Sequence, residues 1–261
     1  MLLQRMVQVL RDRHQKQAMA DAAYWDERAR TRSGFARSVW HAEAFSLAWD
    51  RRQRALLRSA LGPFEGLRVA DVGCGTGRIS RFLAEEGARV VGYDFSPATV
   101  EAARGEGAPA RGELTFEVAD VTSGALPCTP GSFDLALTVG CLAVACRDLP
   151  SLWICLGAMA RATRPGGRVV LLEPIHRNRL VGRVLRASVG DWIREAEAAG
   201  LALDASAGMG FLPVRLLFSS LDAPSWLVDP AFTAGERLLE GSSLLSPSAD
   251  YRLLIFRRPE P

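Results

Sequence analysis

Hydrophobic and polar positions follow two different patterns along the chain, and the change falls near Gly62 and Pro63. Residues 1–60 contain no run of β-branched residues. Apolar side chains there recur at the helical period, at Trp40, Ala44, Leu47 and Ala48. Beyond Pro63, short apolar runs alternate with longer helical stretches. We therefore predict an N-terminal helical cap or lid over residues 1–60 and an α/β domain over residues 61–261.

The second part of the chain predicts a repeating order of strand and helix. Predicted strands cover residues 67–72, 89–93, 114–119, 133–139, 168–173 and 251–257, and predicted helices cover residues 78–86, 97–104, 149–163 and 190–200. Strands that alternate with helices favour parallel pairing and right-handed crossovers. The expected architecture is a three-layer α/β domain. Residues 201–248 show no clear period, and a strand, a loop and a short helix are all compatible with them.

Composition narrows the classes of protein and partner. Hydrophobic residues make up 48% and charged residues 23% of the chain, and the formal net charge of +3 gives no basis for nucleic-acid binding. Lys16 is the only lysine, which excludes a Schiff-base lysine within the core. The five cysteines are odd in number and form no Cys-x-x-Cys pair, so neither a disulfide framework nor a metal site is expected.

The first residues predict neither a leader nor a membrane span. Arg5 and Arg11 interrupt their apolar run, which is too short for a secretory signal or a transmembrane helix. A helix packed on its own domain is the expected form of this segment, and an amphipathic helix that lies on a partner or a membrane surface is the alternative. A reduced, cytoplasmic setting without stable membrane insertion fits both this segment and the cysteine pattern.

A glycine-rich loop, Asp71-Val72-Gly73-Cys74-Gly75-Thr76-Gly77, joins the first predicted strand to the first helix. In an open α/β sheet this position lies at the carboxyl edge, where ligands bind. Glycines allow close approach of the backbone to a ligand. The dinucleotide fingerprint Gly-x-Gly-x-x-Gly is not complete, because Arg78 stands at its third glycine position. The Gly-Lys-Ser/Thr ending of a P-loop is absent as well.

Two further carboxylates end the next two strands. Asp94 follows the second strand, where a carboxylate can accept both hydroxyls of a ribose. Asp120 follows the third strand and could accept a hydrogen bond from an adenine amino group. Each alone is compatible with a carboxylate that only caps the following turn. Together with Asp71 and the glycine loop, they predict a nucleoside-binding site.

These motifs carry a family resemblance. The chain resembles the class I S-adenosylmethionine-dependent methyltransferases, especially the branch that acts on small molecules. The matching segments are Asp71–Gly77, Asp94, Asp120, Phe133-Asp134-Leu135, Arg164–Val170 and Glu195–Leu201. The resemblance covers roughly residues 61–257. It implies a Rossmann-like, mostly parallel sheet with an antiparallel last strand.

The resemblance also implies a cofactor and its ligands. The cofactor would be S-adenosylmethionine, and the product S-adenosylhomocysteine. Asp71 and the glycines would surround its methionine end, Asp94 would hold the ribose, and Asp120 would meet the adenine. The implied cofactor-binding set is Asp71, Gly73, Cys74, Gly75, Gly77, Asp94, Phe95, Ser96, Asp120, Val121, Thr138 and Val139. Catalysis would consist mainly of aligning donor and acceptor for an in-line displacement.

The proton acceptor is less clearly marked. Relatives often carry a His or Glu just after the fourth strand, but residues 140–146 hold neither. His176, which follows the fifth strand, is the best remaining candidate for a general base, and a loop histidine at the surface is the alternative. Tyr24, the second candidate catalytic residue, begins a predicted lid helix together with Trp25, for which packing against the sheet is equally compatible. Asp148 is predicted to cap the helix that begins at Leu149.

The expected function is methyl transfer to a small metabolite, with oxygen preferred over nitrogen or carbon. A natural product, a sugar or a lipid-linked acceptor would fit, and residues 175–190 and 201–248 are expected to be substrate-side insertions that select it. A homodimer is compatible with the sequence. Two alternatives stay open at this point: a non-catalytic cofactor-binding partner subunit, and an NAD-dependent oxidoreductase, against which the misplaced third glycine argues.

Overall fold

The computed structural model describes residues 16–32, 34, 42–107, 109, 111–178 and 181–260. Its centre is one seven-stranded sheet. In chain order the strands are β1 Arg68–Val72, β2 Arg89–Asp94, β3 Glu113–Val118, β4 Phe133–Val139, β5 Thr163–Glu173, β6 Ala202–Phe211 and β7 Ala249–Arg257. Their spatial order is β3-β2-β1-β4-β5-β7-β6. Strands β1 to β5 pair in parallel, and β7 runs antiparallel to both of its neighbours.

Helices cover both faces of this sheet. They are α1 Ala22–Thr31, α2 Glu43–Leu61, α3 Arg78–Glu85, α4 Pro97–Gly105, α5 Leu142–Ala145, α6 Leu149–Ala162, α7 Val189–Ala198, α8 Leu212–Phe218 and α9 Ser225–Gly241. One buried cluster holds Leu152 and Trp192 from α6 and α7, and the other holds Trp49 and Phe232 from α2 and α9. The three-layer α/β architecture and the antiparallel last strand are therefore confirmed.

Polar side chains cap the N-termini of helices α4 and α6. Ser96 accepts a hydrogen bond from Thr99 N and caps α4, whose first residue is Pro97. Asp148 caps α6 through Ser151 N, within a reciprocal capping box. The predicted capping role of Asp148 is thus observed.

Two boundaries differ from the prediction. Strand β5 begins at Thr163, because the Arg164–Gly167 segment extends the strand instead of forming only a turn before it. The predicted insertion 201–248 is largely part of the framework: Ala202–Phe211 is an edge strand, and Ser225–Gly241 packs on the sheet. Its hydrophobic period was obscured because an edge strand with five exposed positions at its start shows little apolar alternation.

The two N-terminal helices occupy different places. Helix α2 buries Phe45, Trp49 and Leu57 in the core on one face of the sheet. Helix α1 buries only Ala29 and lies over the carboxyl edge. Residues 1–15, which include Arg5 and Arg11, and also Trp40, lie outside the described residues. Within the described part of the chain, no helix has the length and apolar character needed to cross a bilayer.

Candidate active site

A cleft that is partly open to solvent lies at the carboxyl edge of the sheet, between β1, β2 and β4. Clefts at this edge of an open α/β sheet are the usual place for small-molecule sites. The residues that border the cleft are Met19, Trp25, Asp71, Val72, Gly73, Cys74, Gly75, Arg78, Ile79, Asp94, Phe95, Thr99, Ala119, Asp120, Val121, Val139, Gly140, Cys141, Val144 and Ala145. Carboxylates from the ends of three successive strands therefore border one space.

The glycine loop forms the floor of the cleft. Gly73 N and Cys74 N donate to Tyr93 O at 2.7 and 3.0 Å, which ties the loop to the end of β2. Gly73 has φ +72°, and a Cβ on it would lie 2.1 Å from Cys141 Sγ. A Cβ on Gly77 would lie 2.5 Å from the Phe116 ring. Glycine at these two positions therefore permits a backbone path that a side chain would block.

Asp94 is the best-held carboxylate of the cleft. Its Oδ2 accepts from Gly75 N at 3.0 Å, and its Oδ1 accepts from Ser96 N at 3.0 Å. Burial raises the pKa of Asp94, and these backbone donors counteract part of that shift. A carboxylate offers about four acceptor positions, so both oxygens can still accept a hydroxyl from a ligand.

Asp71 lies deeper, with 1% of its surface exposed. Ser80 Oγ donates to its Oδ2 at 2.5 Å. Burial raises the pKa of Asp71 to about 6, with the Ser80 hydrogen bond and the charge of Arg78 acting in the opposite direction. A buried acidic pair formed by Asp71 and Asp94 favours a ligand with positive charge.

The outer wall of the cleft contains Phe95, Asp120 and Val121. Asp120 Oδ1 accepts from Thr122 N at 2.9 Å and so caps the short 3₁₀ turn Val121–Ser123. Its side chain is exposed, and the residue also borders the cleft. Asp120 thus has both of the roles that its position allowed, a turn cap and a lining carboxylate.

Helix α1 closes the cleft from above. Asp26 Oδ1 accepts from Ser96 Oγ at 2.5 Å and from Ala98 N at 3.1 Å, at the start of α4. Trp25 and Met19 border the cleft, and Trp25 Nε1 donates to Met19 O at 2.8 Å. The hydroxyl of Tyr24 instead accepts from Arg28 and does not border the cleft.

The segment after β4 is held by a buried carboxylate, Glu173. Its Oε1 accepts from Thr138 Oγ1, Cys141 N and Leu142 N at 3.0, 3.0 and 3.1 Å. Its Oε2 accepts from Ala143 N at 3.1 Å. Burial raises the pKa of Glu173 to about 7 despite these four donors. Because Cys141 borders the cleft, Glu173 sets the position of one of its walls.

Comparisons with known proteins agree with this geometry. Residues 69–167 match the family profile described as "Methyltransferase domain". A ubiquinone biosynthesis O-methyltransferase from Xylella fastidiosa is 30% identical over 179 residues, covering 59% of this chain and 68% of the relative. The chain belongs to the class I S-adenosylmethionine-dependent methyltransferases.

Other members of the methyltransferase family match over shorter stretches. A demethylmenaquinone methyltransferase from Beutenbergia cavernae is 40% identical over 131 residues, half of either chain. The chain spans about half the length of the demethylmenaquinone methyltransferases that it matches. An S-adenosylmethionine-dependent methyltransferase from Mesorhizobium loti has the same fold, with a TM-score of 0.57, 22% identity, and coverage of 78% of this chain and 96% of that one.

Most of the residues predicted from family motifs border the cleft. Gly77, Ser96 and Thr138 do not. Gly77 starts α3, Ser96 caps α4, and Thr138 donates to Glu173, so all three support the lining residues from behind. Tyr24 lies off the cleft because α1 turns Trp25 toward it instead.

Several lining or supporting residues were missed by motif reasoning. Arg78 borders the cleft and is held by Asp50 and Gln53 of α2. Asp26 accepts a hydrogen bond from a backbone N–H group 72 residues away. Glu173 accepts hydrogen bonds from three backbone N–H groups that are 30–32 residues away. Only the charge of Glu173 at the end of an otherwise apolar strand gave a signal for its role, since a buried carboxylate needs partners.

Proposed function

We propose that this protein transfers a methyl group from S-adenosylmethionine to a small-molecule acceptor and releases S-adenosylhomocysteine. The observation that carries the proposal is the convergence of Asp71, Asp94 and Asp120 with the glycine loop on one cleft. The sequence predicted these three carboxylates at strand ends. Their common border with one cleft is what a nucleoside with a cationic group requires.

The residues present fit the cofactor. Asp94 has two buried oxygens with one backbone donor each, which leaves acceptor capacity for two ribose hydroxyls. The Gly73 backbone approaches so closely that a Cβ would displace Cys141. When bound, the cofactor supplies an electrophilic methyl group on a sulfonium. Asp94 and Asp120 would orient the nucleoside, while Asp71 would favour the cationic methionine end.

Around this cofactor the protein acts chiefly by alignment and by exclusion of water. Helix α1 covers the cleft with Trp25, Met19 of the turn before α1 borders the cleft as well, and Asp26 fixes the helix to the start of α4. Glu173 fixes Cys141 in the facing wall. Holding two reactants in line in a closed site removes much of the entropic part of the barrier. This mechanism needs no metal ligand from the chain.

The names of the relatives narrow the acceptor class. Both the demethylmenaquinone methyltransferases and the ubiquinone biosynthesis O-methyltransferase are named for quinone compounds. We propose a quinone-related small molecule with oxygen as the favoured acceptor atom. An NAD-dependent oxidoreductase is disfavoured, because Arg78 replaces the third glycine and is fixed by Asp50 and Gln53.

Titration calorimetry with S-adenosylhomocysteine tests the proposal. We expect binding by the wild type and affinity that is about 10–100-fold lower for Asp94→Asn, since hydrogen bonds to charged groups contribute about 1.5–3 kcal/mol. Asp204→Asn is the matched control, because Asp204 pairs with Arg257 on the β6–β7 side of the sheet. Absence of heat with wild type, or equal affinity of the Asp94 variant, overturns the cofactor assignment.

A second step separates an enzyme from a cofactor-binding partner subunit. Methyl transfer from labelled S-adenosylmethionine to a panel of phenolic and quinol acceptors should yield labelled product. Binding of the cofactor without transfer to any acceptor, alone or with a partner protein, would favour the non-catalytic alternative.

A further inference from the structure

A buried group of charged side chains lies beside the cleft, at the carboxyl end of β5. His176 follows β5, Asp250 lies at the start of β7, and Arg215 lies in α8. Asp250 has no exposed surface, and the side chains of His176 and Arg215 are 9% and 8% exposed. Burying charges in this way costs free energy unless each is paired. The arrangement therefore requires a structural or a functional reason.

Asp250 joins the other two residues. His176 Nε2 lies 3.1 Å from its Oδ1, and Arg215 Nε donates to its Oδ2 at 3.1 Å. Burial alone would raise the pKa of Asp250, but the His176 hydrogen bond and the charges of Arg215 and Arg183 outweigh it and lower the pKa. Asp250 is consequently ionised near neutral pH.

This pairing determines the tautomer of the imidazole. An ionised carboxylate only accepts hydrogen bonds, so His176 Nε2 carries the proton in the neutral ring. The free electron pair then lies on Nδ1, which can accept a proton. A carboxylate that orients an imidazole in this way is the device that activates a histidine base in hydrolases.

The group is adjacent to the cleft. A Cβ on Gly140, which borders the cleft, would lie 2.9 Å from the hydroxyl of Tyr251, the residue after Asp250. Burial raises the pKa of Tyr251 to about 12, so this hydroxyl stays neutral. Because Asp250 and Arg215 also lie close to Tyr251, the group of His176, Asp250 and Arg215 lies next to the Gly140 side of the cleft, although none of the three borders the cleft itself.

We propose that His176 is the proton acceptor for the acceptor hydroxyl, and that Asp250 and Arg215 are the positioning residues that hold its tautomer; this inference rests on the proposed function. The O–H bond of the acceptor breaks and its proton passes to His176 Nδ1. The oxygen electron pair forms the bond to the methyl carbon. The carbon–sulfur bond breaks, and its electron pair stays on the sulfur of S-adenosylhomocysteine. His176 later releases the proton to water.

The position of His176 at the end of β5 accounts for the lack of a candidate general base in the segment after β4. Residues 140–146 hold no titratable side chain other than cysteines. Burial raises the pKa of Cys141, and a hydrogen bond with Cys155 together with burial raises that of Cys146.

The charged or titratable groups around His176 are Asp250 and Tyr251 from β7, Arg215 from α8, Glu173 from β5, and Arg177 and Arg183 from the following loop. Among these, Asp250 is the one in hydrogen-bond contact with the imidazole.

Asp250→Asn gives a sharp test because Arg215 is always a donor. The single amide oxygen would stay with Arg215, and the amide NH₂ group would face His176. Nε2 would then have to accept, which moves the proton to Nδ1. The chain has three histidines, so ¹⁵N NMR of the imidazole resonances, assigned with His176→Gln, reads the tautomer without any activity measurement. We expect Nε2–H in the wild type and Nδ1–H in Asp250→Asn.

Activity provides the second readout. General base catalysis contributes about 10²–10⁴-fold, so we expect kcat to fall about 100-fold or more in Asp250→Asn and His176→Gln, with KM nearly unchanged. The loss should shrink at high pH, where a phenolic acceptor ionises by itself. Arg177→Gln, an exposed neighbour, serves as the control.

The outcomes are distinguishable. If wild type fails to bind S-adenosylhomocysteine, the proposed function fails, whatever the NMR result. If all variants bind it as wild type does, two results overturn the role of His176: an Nδ1–H tautomer in the wild type, or an unchanged kcat and pH profile in both variants. Should Asp250→Asn not fold, His176→Gln alone decides by its kcat and pH profile.

Discussion

The two halves of the carboxyl edge are built in different ways. On the β1–β3 half, each carboxylate lies at a strand end and bonds to groups at most 19 positions away, as Asp94 does with Gly75 and Ser96. On the β4–β7 half, carboxylates pair across long stretches of chain, as Asp250 does with His176 and Arg215. A sequence motif can predict the first half, because its carboxylates lie at strand ends that the sequence locates. The hydrogen bonds of the second half have no such motif, because they form only in the completed fold.

The halves also differ in charge. Asp71 and Asp94 are buried together, with no arginine of the described residues hydrogen-bonded to either, and burial raises the pKa of both. On the β4–β7 half, Arg183 and Arg215 lie near one ionised carboxylate, Asp250, and neither arginine borders the cleft. The buried carboxylates of the β1–β3 half suit a cationic donor. Under the proposed function, the β1–β3 half is the donor half and the β4–β7 half is the acceptor half.

The contact of Gly73 with Cys141, where the halves meet, should give the largest effect. Gly73→Ala places a Cβ 2.1 Å from Cys141 Sγ at φ +72°. Left-handed strain costs about 1–2 kcal/mol and overpacking about 1–3 kcal/mol. We expect the free energy of unfolding in urea to drop by roughly 2–5 kcal/mol, with loss of S-adenosylhomocysteine binding.

Gly66→Ala separates the two costs. Gly66 has φ +71°, and no atom of the described residues outside its chain neighbours lies within 4 Å of the place that an added methyl group would take. The Gly66→Ala variant should therefore lose only the free energy of unfolding that corresponds to left-handed backbone strain. Cys141→Gly, combined with Gly73→Ala, should recover the overpacking part. Equal losses for Gly73→Ala and Gly66→Ala would show that the two halves do not meet tightly there.

The same division explains how much the sequence predicted. The alternating pattern predicted six of the seven strands, and Asp71, Asp94 and Asp120 all border the cleft. Strand β6 was not located because its exposed positions lack alternation. Asp250 and Arg215 had no motif, since their roles depend on α8 and β7 meeting His176, from which Arg215 is 39 and Asp250 is 74 positions away in the chain. Local signals predict local contacts, and pairing across the fold has no such signal.

Glu173 allows a test of electrostatics in the acceptor half. Its pKa is raised by burial from 4.5 to about 7, so the native state binds this proton more tightly than the unfolded chain. Its contribution to stability is therefore largest below pH 4.5 and is lost as pH rises to about 7. We expect Glu173→Gln to gain stability relative to wild type across this window, measured as urea midpoints at about pH 5, 6 and 7.5.

Asp71 titrates within an overlapping range, with a pKa of about 6, but it is present in both proteins and cancels in the difference. Glu197→Gln on the exposed face of α7 should show no such pH dependence. If Glu173→Gln instead loses stability relative to wild type as pH rises, the four donors outweigh burial. The wall after β4 would then be held by an ionised carboxylate.

The smallest effect is expected at the lid, where Asp26 ties α1 to the donor half. Asp26→Ala removes the bonds from Ser96 Oγ and Ala98 N, each contributing about 1 kcal/mol. We expect dissociation of S-adenosylhomocysteine to become about 3–10-fold faster in stopped-flow displacement, with little change in the free energy of unfolding. The reason is that α1 buries only Ala29 and so contributes little to the core.

Asp21→Ala is the matched control on the same segment. Asp21 reaches over to Arg147, beyond β4, but both side chains are more than half exposed, and such pairs contribute little. If the lid is fixed through the donor half alone, this variant should release the ligand at the wild-type rate. Faster release from Asp21→Ala than from Asp26→Ala would mean that the acceptor half holds the lid, and the division of roles between the two halves would have to be reversed at this point.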